Sequence, residues 1–317
     1  MSDEIIFSCI IPASKKDSES QNLKDLIASI KAQDFPQDKI EILVITEGDS
    51  EQAKAIGIRR AKGEICAMFC ADNVVVYDSV FRWIYTLFSK HEITGIYTKW
   101  YARNSKDNSL NRYFSLIGCN DPLSFYLGKA DRKPHYEGDD ETVLEMVQFK
   151  DSVPSLGDNG FFYLRRHLLE ANLDDYYPMD CAEDLRRKGR NIYIRWANGV
   201  IWHRTTNGNL IEFLIRRYRY AKELYCQRAD RRWRMLDTRE DYLRLGFFIL
   251  ATLTVIQPIM VSIRGFLKVR DWAWAWHYPV CLGFLITYGV LALRTFCVRL
   301  LSQRWGDLNP LRPLSKA

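Results

Sequence analysis

Strand-like and helix-like segments take turns over the first hundred residues, and that alternation restricts the chain to few folds. Residues 4–12 (EIIFSCIIP), 39–46 (KIEILVIT), 64–70 (EICAMFC) and 92–98 (EITGIYT) are short apolar runs of strand length. Between them, residues 21–33, 50–62 and 78–90 carry apolar positions at helical spacing. Strands separated by helical segments of this length make βαβ units, so a parallel sheet covered on both faces is predicted. In such sheets ligands sit outside the carboxyl ends of the strands. The third strand ends on Asp72 and Asn73, which places a carboxylate and an amide at that end.

The pattern weakens from 100 to 155. Residues 129–148 (KADRKPHYEGDDETVLEMVQ) read as polar, then briefly helical, either a loop over an acceptor site or a surface insertion. Order returns at 157–172 with a short strand running into a helix. Residues 176–203 follow with an acidic turn, a short helix stopped by Gly189, and two strands ending at His203. A chain of 317 residues can bury a substantial core and still carry an appendage. Its 26% charged and 13% aromatic content excludes a disordered polymer.

After His203 the character changes. Residues 210–236 read as a long basic helix with interleaved aromatics, and residues 204–244 hold eleven Lys/Arg against six Asp/Glu, most of the formal net charge of +6. Residues 245–263 carry no charge over 19 positions, with Pro258 expected to kink them; residues 272–293 lack Asp, Glu, Lys and Arg for 22 positions and open on Trp272, Trp274 and Trp276. Two membrane helices with an interfacial tryptophan belt are predicted. Arg264, Lys268 and Arg270 lie between them, but more basic residues flank the outer ends, which favours both ends facing the cytoplasm; a hairpin lying in the interface is the alternative. A basic aromatic helix also suits nucleic acid, but the long apolar segments directly after it argue for a membrane and against a nucleic-acid partner. The eight cysteines show no zinc-like spacing and read as reduced thiols of a cytoplasmic domain. The N-terminus, MSDEIIFSCIIP, lacks the basic and long apolar regions of a signal peptide.

Residues 7–73, from FSCIIPASKK through KIEILVITEGD and the A-x-x-x-G-I-x-x-A-K-G-E-like AKAIGIRRAKGE to CADN, resemble the N-terminal half of inverting family 2 glycosyltransferases of the GT-A fold. The resemblance extends over roughly residues 5–205 and is strongest at 40–73. It implies a GT-A nucleotide-diphospho-sugar transferase fold, a Rossmann-like mixed sheet flanked by helices, here followed by a basic interfacial helix and membrane helices. Three motifs depart from the family pattern. Asp-Asp-Gly-Ser is Thr46-Glu47-Gly48-Asp49, Asp-x-Asp is Cys70-Ala71-Asp72, and the aromatic-Asn-Glu after Pro12 is Ala13-Ser14-Lys15-Lys16.

Several site residues follow from the resemblance. Pro12, Ala13, Glu47, Lys54, Asp72, Asn73, Asp158 and Asn159 are implied in donor binding, together with the basic-aromatic set Arg216, Arg217, Arg219 and Tyr220. A divalent cation, Mg²⁺ or Mn²⁺, is implied at Asp72 and His203, because a leaving diphosphate builds charge that a hard cation offsets. The base that takes the acceptor proton is implied in the acidic turn, with Asp180 and Asp184 leading and Glu183 the third carboxylate. Each also has a structural reading: turn or cap for Asp72 and the acidic turn, solvated acid for Glu47, packed imidazole for His203, solvated face for the arginines.

The expected division is a catalytic domain at 1–208, a basic amphipathic region at 209–240 and membrane attachment at 241–317, with hydrophobic helices near 245–263 and 272–293. The expected activity moves a sugar from a nucleotide-diphospho-sugar to a lipid-linked or glycan acceptor, such as a polyisoprenyl phosphate, at the cytoplasmic face of a cell membrane. The competing expectation is a catalytically degenerate scaffold of the same fold in an envelope-glycan complex.

Overall fold

The computed structural model describes residues 4–14, 17–137, 143–197, 199–223 and 231–305. In chain order, β1 (Phe7–Pro12), α1 (Gln21–Lys31), β2 (Ile40–Ile45), α2 (Ser50–Arg60), β3 (Ile65–Met68), β4 (Asn73–Val75), α3 (Val80–Lys90) and β5 (Gly95–Thr98) follow the predicted alternation. Then come α4 (Ser109–Ile117), α5 (Pro122–Tyr126), β6 (Leu144–Gln148), β7 (Phe161–Leu164), α6 (Arg165–Leu168), α7 (Pro178–Arg187), β8 (Ile192–Trp196) and β9 (Ile201–His203). The chain ends with α8 (Leu210–Ala221), α9 (Arg239–Thr254), α10 (Ile256–Lys268) and α11 (His277–Trp305).

Seven strands form one sheet in the order β2-β1-β3-β7-β5-β8-β6, and β4 pairs with β9 in a separate two-stranded ribbon. β1 runs parallel to β2 and β3, and β5 to β8, while β7 enters between β3 and β5 antiparallel to both. The sheet is therefore mixed. Alternate strand residues feed two core layers. Phe7, Cys9, Ile11, Ile65 and Ala67 pack with Leu26 of α1 and Phe81 of α3, while Ile10, Cys66 and Met68 pack with Ile58, Tyr113 and Leu185 on the other face. Burial on both faces explains why these strands read as continuous apolar runs.

Three segments differ from their sequence reading. Residues 144–148, expected to be briefly helical, form β6, an edge strand antiparallel to β8. The basic helix expected over 210–236 is α-helical only through Ala221, residues 231–238 are irregular, and residues 224–230 lie outside the described set. The apolar run 245–263 is not one membrane helix: it breaks at Val255, which adopts φ 68°, and α9 and α10 meet at 86°. The cause is Pro258, whose missing N–H and ring conflict with the carbonyl four residues earlier, at Thr254, the last residue of α9. Among the described residues one helix, Trp272–Val298, is by itself long and apolar enough to cross a membrane.

The C-terminal helices complete the second core layer. Phe213, Phe248, Val261, Trp274, Val280 and Phe284 belong to it. At the junction His277 bridges two tyrosines of the first part, with Nδ1 2.8 Å from Tyr113 Oη and Nε2 3.2 Å from Tyr126 Oη. The described cysteines are all free; Cys226 lies outside the described residues.

Candidate functional site

The site begins where β3 ends. Asn73 Oδ1 accepts the Cys70 N–H at 3.0 Å and the Asn73 N–H donates to the Cys70 carbonyl at 3.0 Å, closing a tight turn with Asp72 at its tip. The chain then enters β4, whose Asn73 is the register partner of His203 in β9. The ribbon thus carries His203 to Asp72, with Nε2 3.4 Å from Oδ2. Burial by itself would push the Asp72 carboxyl up, but His203, by charge and hydrogen bond, and the Arg216 guanidinium hold it below its ordinary value. Its side chain is one-third exposed (34%), enough to meet a ligand.

Asp72 stands between two clefts. The first, about 300 Å³, is lined by Lys54, Asp158, Asn159, His203, Arg217 and Tyr220 among others. The second, about 620 Å³, is bordered by Pro12, Asn22, Asp107 and Arg204. Cys70, Asp72, Thr205 and Arg216 belong to both walls.

One wall of the first cleft is an ion cluster around the buried Lys54. Lys54 Nζ lies 3.0 Å from Glu51 and 2.9 Å from each Asp158 oxygen; it donates to Asp158 Oδ2, and Oδ1 is buried without a hydrogen bond. Burial opposes the ammonium form, but Asp158 and Glu51 outweigh it and raise Lys54 well above its ordinary value. Burial pushes Glu51 up, against the pull of Lys54.

The segment Gly157-Asp158-Asn159-Gly160 is held in left-handed backbone at Gly157 (φ 119°), Asn159 (φ 58°) and Gly160 (φ 79°). A Cβ at Gly157 would fall 2.8 Å from Pro178 Cβ, and one at Gly160 2.3 Å from Ile201 Cγ1. The close approach that these glycines permit is therefore to α7 and β9. Arg132, which is buried, fixes the turn by donating to the Asn159 carbonyl at 2.5 Å.

The basic-aromatic residues divide. Arg216 donates to the Thr205 carbonyl at 2.5 Å and lines both clefts. Arg217 pairs with Asp121 at 2.5 Å and lies over the Tyr220 ring at 5.1 Å. Tyr288 of α11 donates to the same Asp121 oxygen at 2.5 Å, linking the cleft wall to the long apolar helix. Arg219 is exposed and lines neither cleft.

Other predicted residues fall outside the cleft walls. Glu47 is exposed and held bidentately by Arg60 at 2.9 and 2.8 Å. Ala13 is buried at the end of β1, and Asn73 spends its amide on Cys70 and, through Nδ2, on Asn159 Oδ1 at 3.1 Å. The acidic turn is the first part of α7. Met179 reaches the first cleft, but Asp180, Glu183 and Asp184 do not. Asp180, fully buried, accepts from Arg231 Nε at 2.7 Å and from the Trp233 N–H at 2.8 Å. Glu183 is held by Arg186 and Arg187 at 2.7 and 2.9 Å, and Asp184 by Arg232 at 2.8 Å.

Sequence reading missed Glu51, Asp121 and Asp131 as cleft residues. Asp121 sits at the cap of a short helix in the weakly patterned region, where nothing local marks it. With them the first cleft holds five carboxylates (Glu51, Asp72, Asp121, Asp131, Asp158) against three cations, Lys54, Arg216 and Arg217, with His203 beside them. Arg132 neutralises Asp131 from behind this wall, and the small acidic excess that is left favours a diphosphate that enters together with a multivalent cation. Asp72 and His203 fit such a cation as a partial ligand set that waters and substrate oxygens would complete. No cluster of three or more protein ligands occurs among the described residues.

No family model matches the chain, and no curated protein matches it. Among solved structures it is similar to the mannosyltransferase PcManGT from Pyrobaculum calidifontis in complex with GDP-Man and Mn²⁺, at 13% identity and TM-score 0.44, over 98% of this chain and 82% of that one. It is also similar to S. aureus TarS 1–349 in complex with UDP, at 12% identity and TM-score 0.39, over 96% of this chain and 93% of that one.

Proposed function

We propose that this protein is an inverting glycosyltransferase of the GT-A type, acting on a nucleotide-diphospho-sugar beside a membrane. The observation that carries the reading is the convergence of Asp72 and His203 on the wall of an acid-rich cleft just beyond the carboxyl end of β3. In this reading residues 1–208 are catalytic, 209–240 form the basic interfacial region and 241–317 attach the chain to the cytoplasmic face of a cell membrane, with α11 as the segment that crosses.

Asp72 and His203 would hold Mg²⁺ or Mn²⁺, which when bound supplies Lewis-acid neutralisation of the departing diphosphate. Arg216, on both cleft walls, suits the same phosphates because its planar fork pairs with two oxygens. Asp158, held by Lys54, and Asn159, whose carbonyl is held by Arg132, would orient sugar hydroxyls. In the transfer, the acceptor hydroxyl oxygen forms a bond to the anomeric carbon as the bond to the diphosphate oxygen breaks. The hydroxyl proton passes to a carboxylate base, and the nucleoside diphosphate leaves. For Asp180 or Asp184 to be that base, its arginine partners must first release it. The acceptor is a lipid-linked or glycan hydroxyl or a polyisoprenyl phosphate; for the last, a phosphate oxygen is the nucleophile and no hydroxyl proton is moved.

The arginine contacts on all three carboxylates of the acidic turn favour the second reading, a scaffold of the same fold without turnover. Incubation of the full-length protein with UDP- and GDP-sugars and Mn²⁺, preceded by a thermal-shift screen, separates the two. Release of UDP or GDP from at least one donor supports the enzyme; no release from any of them overturns it and supports the scaffold.

A further inference from the structure

We infer that the outward side of α10 is a binding site for the phosphate headgroup of an anionic phospholipid, an inference that rests on the membrane attachment proposed above and adds its orientation and lipid chemistry. At 13 residues α10 is about 20 Å long, short of the roughly 30 Å hydrocarbon core, and its 86° bend from α9 prevents the two from crossing as one rod. Its inner edge is Pro258, Val261 and Gly265, with Gly265 so close to Trp274 that a Cβ there would lie 2.4 Å from the indole. The opposite side presents Ile256, Ile259, Met260, Ile263 and Leu267, 46–66% exposed. A helix that turns its apolar side chains outward needs an apolar medium to receive them.

The cations on this helix set what kind of medium. Arg264 and Lys268, one turn apart, line a groove of about 550 Å³ with Tyr136, Met260, Ile263 and Leu267. The Arg264 guanidinium is held 4.9 Å over the Tyr136 ring, a contact that orients it without consuming its N–H donors. Among the described residues neither cation pairs with a carboxylate, Glu137 beside Tyr136 included. Two unpaired cations flanked by apolar side chains match an anionic phosphate joined to acyl chains, with arginine suited to two phosphate oxygens at once and lysine to the net charge. α10 then lies along the interface with its headgroup site beside Tyr136.

The test uses the full chain in nonionic micelles, titrated by thermophoresis with dihexanoyl phosphatidylglycerol, dihexanoyl phosphatidylcholine and inorganic phosphate. Phosphatidylglycerol should bind at least tenfold tighter than the other two, and R264Q/K268Q should lose that preference while melting at the same temperature. Equal affinity for the two lipids, an unchanged preference in the variant, or phosphate binding as tightly as phosphatidylglycerol each overturns the headgroup site. Carbonate extraction of expressing cells tests the attachment separately. Wild type and variant should both stay in the membrane pellet. Release of both removes the membrane reading and this inference together, whereas retention without lipid preference sinks the inference alone.

Discussion

Asp72 Oδ2 and His203 Nε2 lie 3.4 Å apart because Asn73 and His203 are register partners in the β4–β9 ribbon. The ribbon is separate from the main sheet, so it positions the pair without interrupting the core strands. Asp72→Asn keeps the shape and removes the charge. We expect Mn²⁺-dependent nucleotide-sugar binding, measured by calorimetry, to weaken at least tenfold, with stability changed by less than about 1 kcal/mol because the side chain is partly exposed. Unchanged binding would contradict the metal assignment.

Lys54 is the only cation of the Glu51–Lys54–Asp158 cluster. Lys54→Met leaves two half-buried carboxylates near each other without their cation and should cost about 1–3 kcal/mol in urea unfolding. The double variant Lys54→Met/Asp158→Asn should recover part of that loss, since one of the orphaned charges is gone. A single variant as stable as wild type would show that water already reaches the cluster.

Asp180 discriminates a structural from a catalytic carboxylate. Its two oxygens are taken by Arg231 and the Trp233 N–H in full burial, so Asp180→Asn should lower the melting temperature by several degrees. Should the variant instead melt normally while turnover falls more than a hundredfold, Asp180 is the base and the arginine contact opens during the reaction.

Acid sensitivity should concentrate at the start of α9. Burial opposes the Asp241 carboxylate, but Lys129 at 2.8 Å and the backbone N–H groups of Thr238 and Asp237 bring it down to about 2. A depressed folded value means the stabilisation is fully present above the unfolded carboxyl range near 4 and is lost as pH falls toward about 2. Asp241→Asn should therefore destabilise the protein by about 1–2 kcal/mol at neutral pH and flatten the pH dependence of its melting temperature between 4 and 2. An unaltered slope there would assign the acid sensitivity to other carboxylates.

The sequence by itself determined the alternating first third of the chain and the placing of Asp72 at a strand end. Strand and helix periods are local, and both core layers draw on alternate residues of the same strands, as in Ile10 against Cys9 and Ile11. The short helices α4 and α5, of nine and five residues, escaped that reading because they give a helical period too little length in which to show. β6 escaped it too: it is an edge strand with large apolar residues, Leu144 and Met146, facing outward.

Tertiary structure alone decided which charges are free. Asp72 and Asp180 are equally acidic on the page, yet one surfaces between two clefts and the other is sealed under Arg231 and Trp233. It also decided that the C-terminal helices close the core, through the His277 bridge to Tyr113 and Tyr126, where an apolar run suggested only an attached anchor. Periodicity records how a segment meets its surroundings on average; a carboxylate's partner comes from wherever the chain returns, and no local pattern carries that information.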